Sequence, residues 1–122
     1  MSQRNKIAPL AVAVVIISVL GFGLPISAQS KEMNEKKNLM DFAYANCMFW
    51  YFKSKKYDVR DIRAISGGYV EMGRSSADRY QEIAQYIKNY KTTRKTKQNI
   101  DPELLKCFYL DENEGLKKIL NM

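Results

Sequence analysis

NLMDFAYANCMFWYF, residues 38–52, is the stretch that decides the fold. Leu39, Phe42, Ala43, Cys47, Trp50 and Tyr51 recur at the i, i+3, i+4 spacing of one helix face. Met40, Tyr44, Met48 and Phe49 carry the apolar character almost all the way round. A helix apolar on most sides either sits at the centre of a bundle or offers its second face to a partner. The same rhythm extends outward, and the spacing predicts one long helix over Lys31–Lys53. The basic, polar run Lys53–Tyr57 then breaks it.

The rest of the chain continues in helical periods. Asp58 is placed to cap a second helix, with Asp61 at the capping-box position three residues on. Val59, Ile62, Ile65, Tyr69 and Met72 form its expected buried stripe. Gly67-Gly68 interrupts that helix at a cost of about 1 kcal/mol per glycine relative to alanine; close packing against another helix, or a kink, accounts for the pair. Gly73 is a stop signal. Ser75 or Ser76 caps a third helix whose stripe is Tyr80, Ile83, Ala84, Ile87 and Tyr90. Asp101-Pro102-Glu103 starts a fourth with a cap, a proline in the first turn and an acid behind it. Leu104, Leu105, Cys107 and Phe108 are expected to face inward. Asn113 caps a final turn or two bearing Leu116, Ile119 and Leu120. No segment alternates as a strand does. The fold class is all-α: a compact bundle of four to five helices.

Ahead of these helices, Arg4 and Lys6 precede an apolar run from Ile7 to Leu24, followed by Pro25 and the small residues Ser27, Ala28 and Ser30. This is the layout of a secretory signal peptide, cleaved after Ala28 or Ser30. Residues 1–28 are read as that peptide and 29–122 as a single helical domain. The leader contains two basic residues and no acidic one, so the net charge of +7 falls to +5 on its removal. A domain this small buries a modest share of its surface and needs a staple. Cys47 and Cys107 are the two cysteines of the chain. In an exported protein an even count reads as a disulfide. The one intramolecular pairing available closes a 60-residue loop, worth roughly 4 kcal/mol through the unfolded state.

The chain has no histidine. That removes the commonest general base and metal ligand, and with it Ser-His and Cys-His activation of a nucleophile. No glycine-rich phosphate cradle or metal-ligand spacing is present either. The reading is a binding protein without a cofactor, not an enzyme. Basic residues are spread along the chain rather than gathered on one groove-reading helix, which together with export argues against a nucleic-acid partner. The most distinctive polar segment is KTTRKTKQN: Lys91, Thr92, Thr93, Arg94, Lys95, Thr96, Lys97, Gln98 and Asn99. It has four basic residues and no acidic or large apolar one. It reads as a solvated connector, or as a protruding loop suited to an acidic cleft.

The order of these segments resembles the immunity proteins of type VI secretion amidase effectors, the Tai group, in its short all-helical branch. The matching elements are a leader, then NLMDFAYANCMFWYF with its cysteine, RAISGGYVEMG, YQEIAQYIKNY, and KCFYLDENEGLKKIL with the second cysteine. The resemblance implies a periplasmic inhibitor that binds a peptidoglycan amidase, a papain-like cysteine hydrolase, and blocks its active-site cleft. It implies a homodimer, and a protruding loop that maps by position to Lys91–Asp101. Cleavage of the leader is expected to leave no stable membrane insertion. Two other readings compete. One is a periplasmic acid-stress chaperone of the small disulfide-linked helical type, which unfolds at about pH 2–3 as its carboxylates protonate. The other is a membrane-tethered bundle that retains residues 7–24 as an anchor.

Overall fold

The computed structural model describes the backbone from Leu24 and the side chains from Asn34 to Met122. The signal-peptide reading of residues 1–28, and the anchor reading of 7–24, lie almost wholly outside the described residues. Among the described residues, five α-helices and one 3₁₀ segment follow in order: α1 (Leu24–Ser54), α2 (Arg60–Met72), α3 (Ala77–Asn89), α4 (Pro102–Leu105), the 3₁₀ segment Lys106–Glu112, and α5 (Glu114–Ile119). The described residues contain no strand. The all-α reading holds. The first helix starts earlier than its expected Lys31, with Pro25 in its first turn, where a missing N–H leaves no helical bond unmade.

Helix α1 is the centre of the unit Asn34–Met122. Leu39, Met40, Phe42, Ala43, Ala45, Asn46 and Cys47 are all buried, and these positions run round the helix rather than along one stripe. Of the two readings of its broad apolar face, the central one is correct for these turns. Onto it pack Tyr80, Ile83 and Ile87 of α3, Cys107 and Leu110 of the 3₁₀ segment, and Leu116 and Leu120 at the C-terminal end. Phe42 meets Tyr80 edge-on, ring centroids 5.0 Å apart. The disulfide joins Cys47 to Cys107, with Cα atoms 5.6 Å apart.

What ends α1 is a Schellman motif built without glycine. Lys56 takes the left-handed conformation, φ 60°. Its N–H donates to the Lys53 carbonyl at 3.1 Å, and the Tyr57 N–H reaches back to Phe52 at 2.9 Å. The Phe52 and Tyr57 rings close the motif at 5.9 Å, the apolar contact that usually accompanies this cap.

Three later caps fall where the residue pattern placed them. Ser76 accepts from Arg79 N–H, Asp101 from Glu103 N–H with Pro102 in the first turn, and Asn113 from Leu116 N–H. Ser75, the other candidate, is used differently. Its N–H and hydroxyl both donate to Glu35, at 2.9 and 2.7 Å. The Arg74 N–H joins them at 3.0 Å, so one carboxylate of α1 gathers the α2–α3 connection.

The second helix departs from expectation. It has no buried residue. Ile65 and Met72 are 50% and 72% exposed, and Val59, Ile62 and Tyr69 are only half-buried. A Cβ added at Gly67 or Gly68 would meet nothing within 4 Å. The glycine pair is therefore not explained by a neighbouring helix among the described residues. Val59, rather than Asp58, is the N-cap residue and makes no side-chain cap. Asp58 instead accepts the Arg60 N–H at 2.9 Å and chelates its guanidinium. Phe108, expected inside, is 68% exposed, because the chain passes from α4 into a 3₁₀ turn there and the helical period no longer applies.

Candidate functional site

The segment Lys91–Asn99 lies in an irregular loop between α3 and α4, and all its residues are exposed except half-buried Thr92. Its two roots are held by one buried lysine. Lys106 is 2% exposed. Its ammonium donates to the carbonyls of Ile87 and Tyr90 at 2.8 and 3.0 Å and pairs with Glu103 at 2.8 Å. Three donors thus meet three acceptors, which is the condition for burying a charge at tolerable cost. The first two acceptors are at the carbonyl-rich end of α3, where a cation is favoured by the helix dipole. Glu103, at the start of α4, also pairs with Lys91 at 3.3 Å. Partial burial raises the Glu103 carboxyl, but Lys106 and Lys91 outweigh it and hold it below its ordinary value.

The returning end of the loop is tied as well. Lys55, just past α1, pairs with Asp101. That hydrogen bond, with the Glu103 N–H, holds the Asp101 carboxyl below the usual carboxylate range. Midway, the Arg94 guanidinium stacks 3.7 Å over the Tyr109 ring and pairs with Glu112. Arg94 N–H donates to Thr92 Oγ1 at 3.1 Å, and Thr96 Oγ1 to the Gln98 carbonyl at 2.7 Å. A cavity of about 290 Å³ opens between loop and 3₁₀ segment, lined by Tyr90, Thr92, Thr93, Arg94, Tyr109, Glu112 and Asn113.

The disulfide and this loop form one mechanical unit. Cys107 is bonded to α1 at Cys47, and its neighbour Lys106 holds both loop roots. Tyr109 and Glu112, two and five residues further on, brace the loop's middle. Sequence reasoning selected the loop and the cysteines but not these supports. A lysine between an apolar run and a cysteine carries no local sign of burial. A Glu three residues before it, at helical spacing, is the one hint.

Of the loop's four cations, Lys91 and Arg94 are engaged within the chain. Lys95 and Lys97 are exposed and have no ion pair among the described residues. The loop has no nucleophile activated by a neighbouring base. Among the described residues no group of three His, Cys, Asp or Glu is placed to hold a metal. No described helix is long and apolar enough to cross a membrane. A braced, outward-facing basic loop is suited to binding.

Comparison with known proteins is specific on one point. No curated protein and no solved structure matches the chain. Residues 37–120, from the first turns of described side chains to the last buried leucine, match the family model Tai4, type VI secretion system amidase immunity protein, and the chain belongs to that family.

Proposed function

We propose that this immunity protein acts in the periplasm by seating its Lys91–Asn99 loop in the active-site cleft of a type VI secreted peptidoglycan amidase, excluding substrate. Family membership supplies the immunity role against an amidase, and an inhibitor in place of an enzyme. The observation that carries the finer reading is the bracing of the loop at both roots and at its middle. A loop already held in its bound shape loses little conformational freedom on docking. Its two outermost cations, Lys95 and Lys97, are then the contacts for an acidic cleft rim, while Arg94 shapes the loop.

The target is a papain-like cysteine hydrolase in this reading, and the inhibitor a homodimer that presents two loops to two effectors. Export follows from the leader at residues 1–28, with 29–122 as the mature domain. Calorimetry with the amidase encoded beside this chain tests the loop. Lys95→Glu with Lys97→Glu is expected to weaken binding about tenfold or more, since charge complementarity at a rim steers and selects partners. Unchanged affinity for that double variant refutes the loop assignment and leaves the immunity role standing.

A further inference from the structure

The C-terminal turns of α1 hold a second cationic surface, separate from the loop. Phe49 and Trp50 are half-buried there, rings edge to face at 5.0 Å. Lys88 lies 4.9 Å and Lys53 5.4 Å from the Trp50 ring centroid. Arg63, from α2, stands 5.6 Å from the Phe49 centroid. Three helices thus each send one cation to one pair of rings. None of the three has a carboxylate partner among the described residues, although Lys37, Lys55, Arg60, Lys91, Arg94, Lys106 and Lys117 all have one.

Folding tolerates this arrangement but leaves its charge unneutralised. Two ammonium groups over one indole lie within roughly 10 Å of each other and repel by about 0.4 kcal/mol in water. The cation–π attraction at an exposed site, about 0.5–1 kcal/mol each, offsets this without neutralising the charge. The ring is nonetheless held in place. The indole N–H donates to Asn46 Oδ1 at 2.9 Å, and Asn46 is only 8% exposed. A fixed tryptophan flanked by two lysines, with an arginine over the adjoining Phe49 ring, has the composition of an interface anchor, and the charge it lacks is negative.

We propose that this ledge of Phe49, Trp50, Lys53, Arg63 and Lys88 is a docking surface for a carboxylate-bearing face of the amidase effector, outside its cleft. The inference rests on the reading of this chain as an effector-binding inhibitor. A protein partner is favoured over a lipid surface by the direction of the indole. At a membrane interface the tryptophan N–H turns towards water and headgroups, whereas here it turns inward to a buried asparagine. The ledge also adjoins the loop in the chain: Lys88 is three residues before Lys91, and Lys53 two before Lys55, which anchors Asp101. One partner can therefore span both, and two modest contacts on one rigid body give more affinity than either alone.

Trp50 is the sole tryptophan, which makes it a private reporter. The disulfide-bonded mature chain is labelled with 5-fluorotryptophan and titrated with the unlabelled amidase encoded beside it, its nucleophilic cysteine replaced. The single fluorine resonance is expected to shift at saturation. Lys53→Glu with Lys88→Glu should raise Kd about tenfold and flatten its salt dependence, with the helical circular-dichroism spectrum unchanged. Arg63→Glu, on a helix with no buried residue, gives an independent variant with little risk to folding and should weaken binding as well. A resonance that stays put while calorimetry shows binding overturns the ledge and spares the functional reading. An absence of binding by calorimetry overturns both. A shift with phosphatidylglycerol vesicles but not with the amidase overturns the protein partner in favour of a lipid surface.

Discussion

Helices α2 and α3 have 13 residues each and similar amphipathic rhythms, yet they have opposite fates. In α3 the stripe meets α1, and Tyr80, Ile83 and Ile87 are at most 3% exposed. In α2 the equivalent stripe reaches the core only through half-buried Tyr69. The helix is held by polar threads instead. Asn38 Nδ2 donates to the Tyr69 carbonyl at 3.0 Å, and the Tyr80 hydroxyl donates to Asn38 Oδ1 at 2.6 Å. Glu35 secures the connection beyond it. Period states which residues share a face; it does not state whether that face meets another element. Here α1 is already surrounded by α3, the 3₁₀ segment and the C-terminal turns.

The sharpest way to break the comparison is to make the same truncation on both helices. Ile83→Ala removes a fully buried side chain and should cost about 2–5 kcal/mol. Ile65→Ala, at 50% exposure, should stay within about 0.5 kcal/mol. Urea unfolding of the two variants side by side measures the difference. Comparable losses would show that α2 is buried in solution.

A middle-sized effect tests the polar threads. Partial burial raises the Glu35 carboxyl, but the Ser75 hydroxyl and the N–H groups of Arg74 and Ser75 outweigh it and hold it below its ordinary value of 4.5. A carboxyl depressed in the folded state contributes stability that is fully present above its unfolded pKa and is lost as pH falls through the folded one. Stability at neutral pH should drop by on the order of 1 kcal/mol in Glu35→Gln, since a charged acceptor is lost. The variant should also lose less than the parent between about pH 5 and pH 3. A circular-dichroism titration with denaturant reads both. The same titration, carried down to about pH 2, bears on the acid-stress chaperone reading, which requires unfolding and client binding at about pH 2–3.

The smallest effect has the opposite sign. Gly67→Ala places a methyl group where nothing lies within 4 Å, in a helix that gains from alanine. It should stabilise by about 0.5–1 kcal/mol. A loss instead would mean that another surface occupies the space, such as a second copy of the chain. Gly73 is the control within the same segment. A Cβ there would overlap the Tyr80 hydroxyl and lie 2.6 Å from Asn38 Oδ1, so that glycine is required by a close approach.

The candidate site was legible in part. Four cations without an acid in KTTRKTKQN mark a solvated loop, and an even count of two cysteines behind a leader-like segment marks a staple. Lys106 was not legible, because its burial depends on carbonyls at the end of α3 nineteen and sixteen residues earlier. Nor was the split within the loop, where Arg94 is spent on Tyr109 and Glu112 while Lys95 and Lys97 stay outward. The end of α1 was hidden for a related reason. A Schellman cap is read from glycine, and here a lysine occupies the left-handed position.

By itself the sequence determined the helices, three of their caps and the single way two sulfurs can pair within one chain. Those properties are local or combinatorial: hydrogen-bond partners a few residues apart, and a count of two. Only the tertiary structure decided that α3 is core while α2 is surface, that a lysine is buried at the foot of the loop, and that the Phe49–Trp50 pair gathers cations from three helices. Each of these depends on which distant atoms arrive alongside, and that follows from competition for the faces of α1.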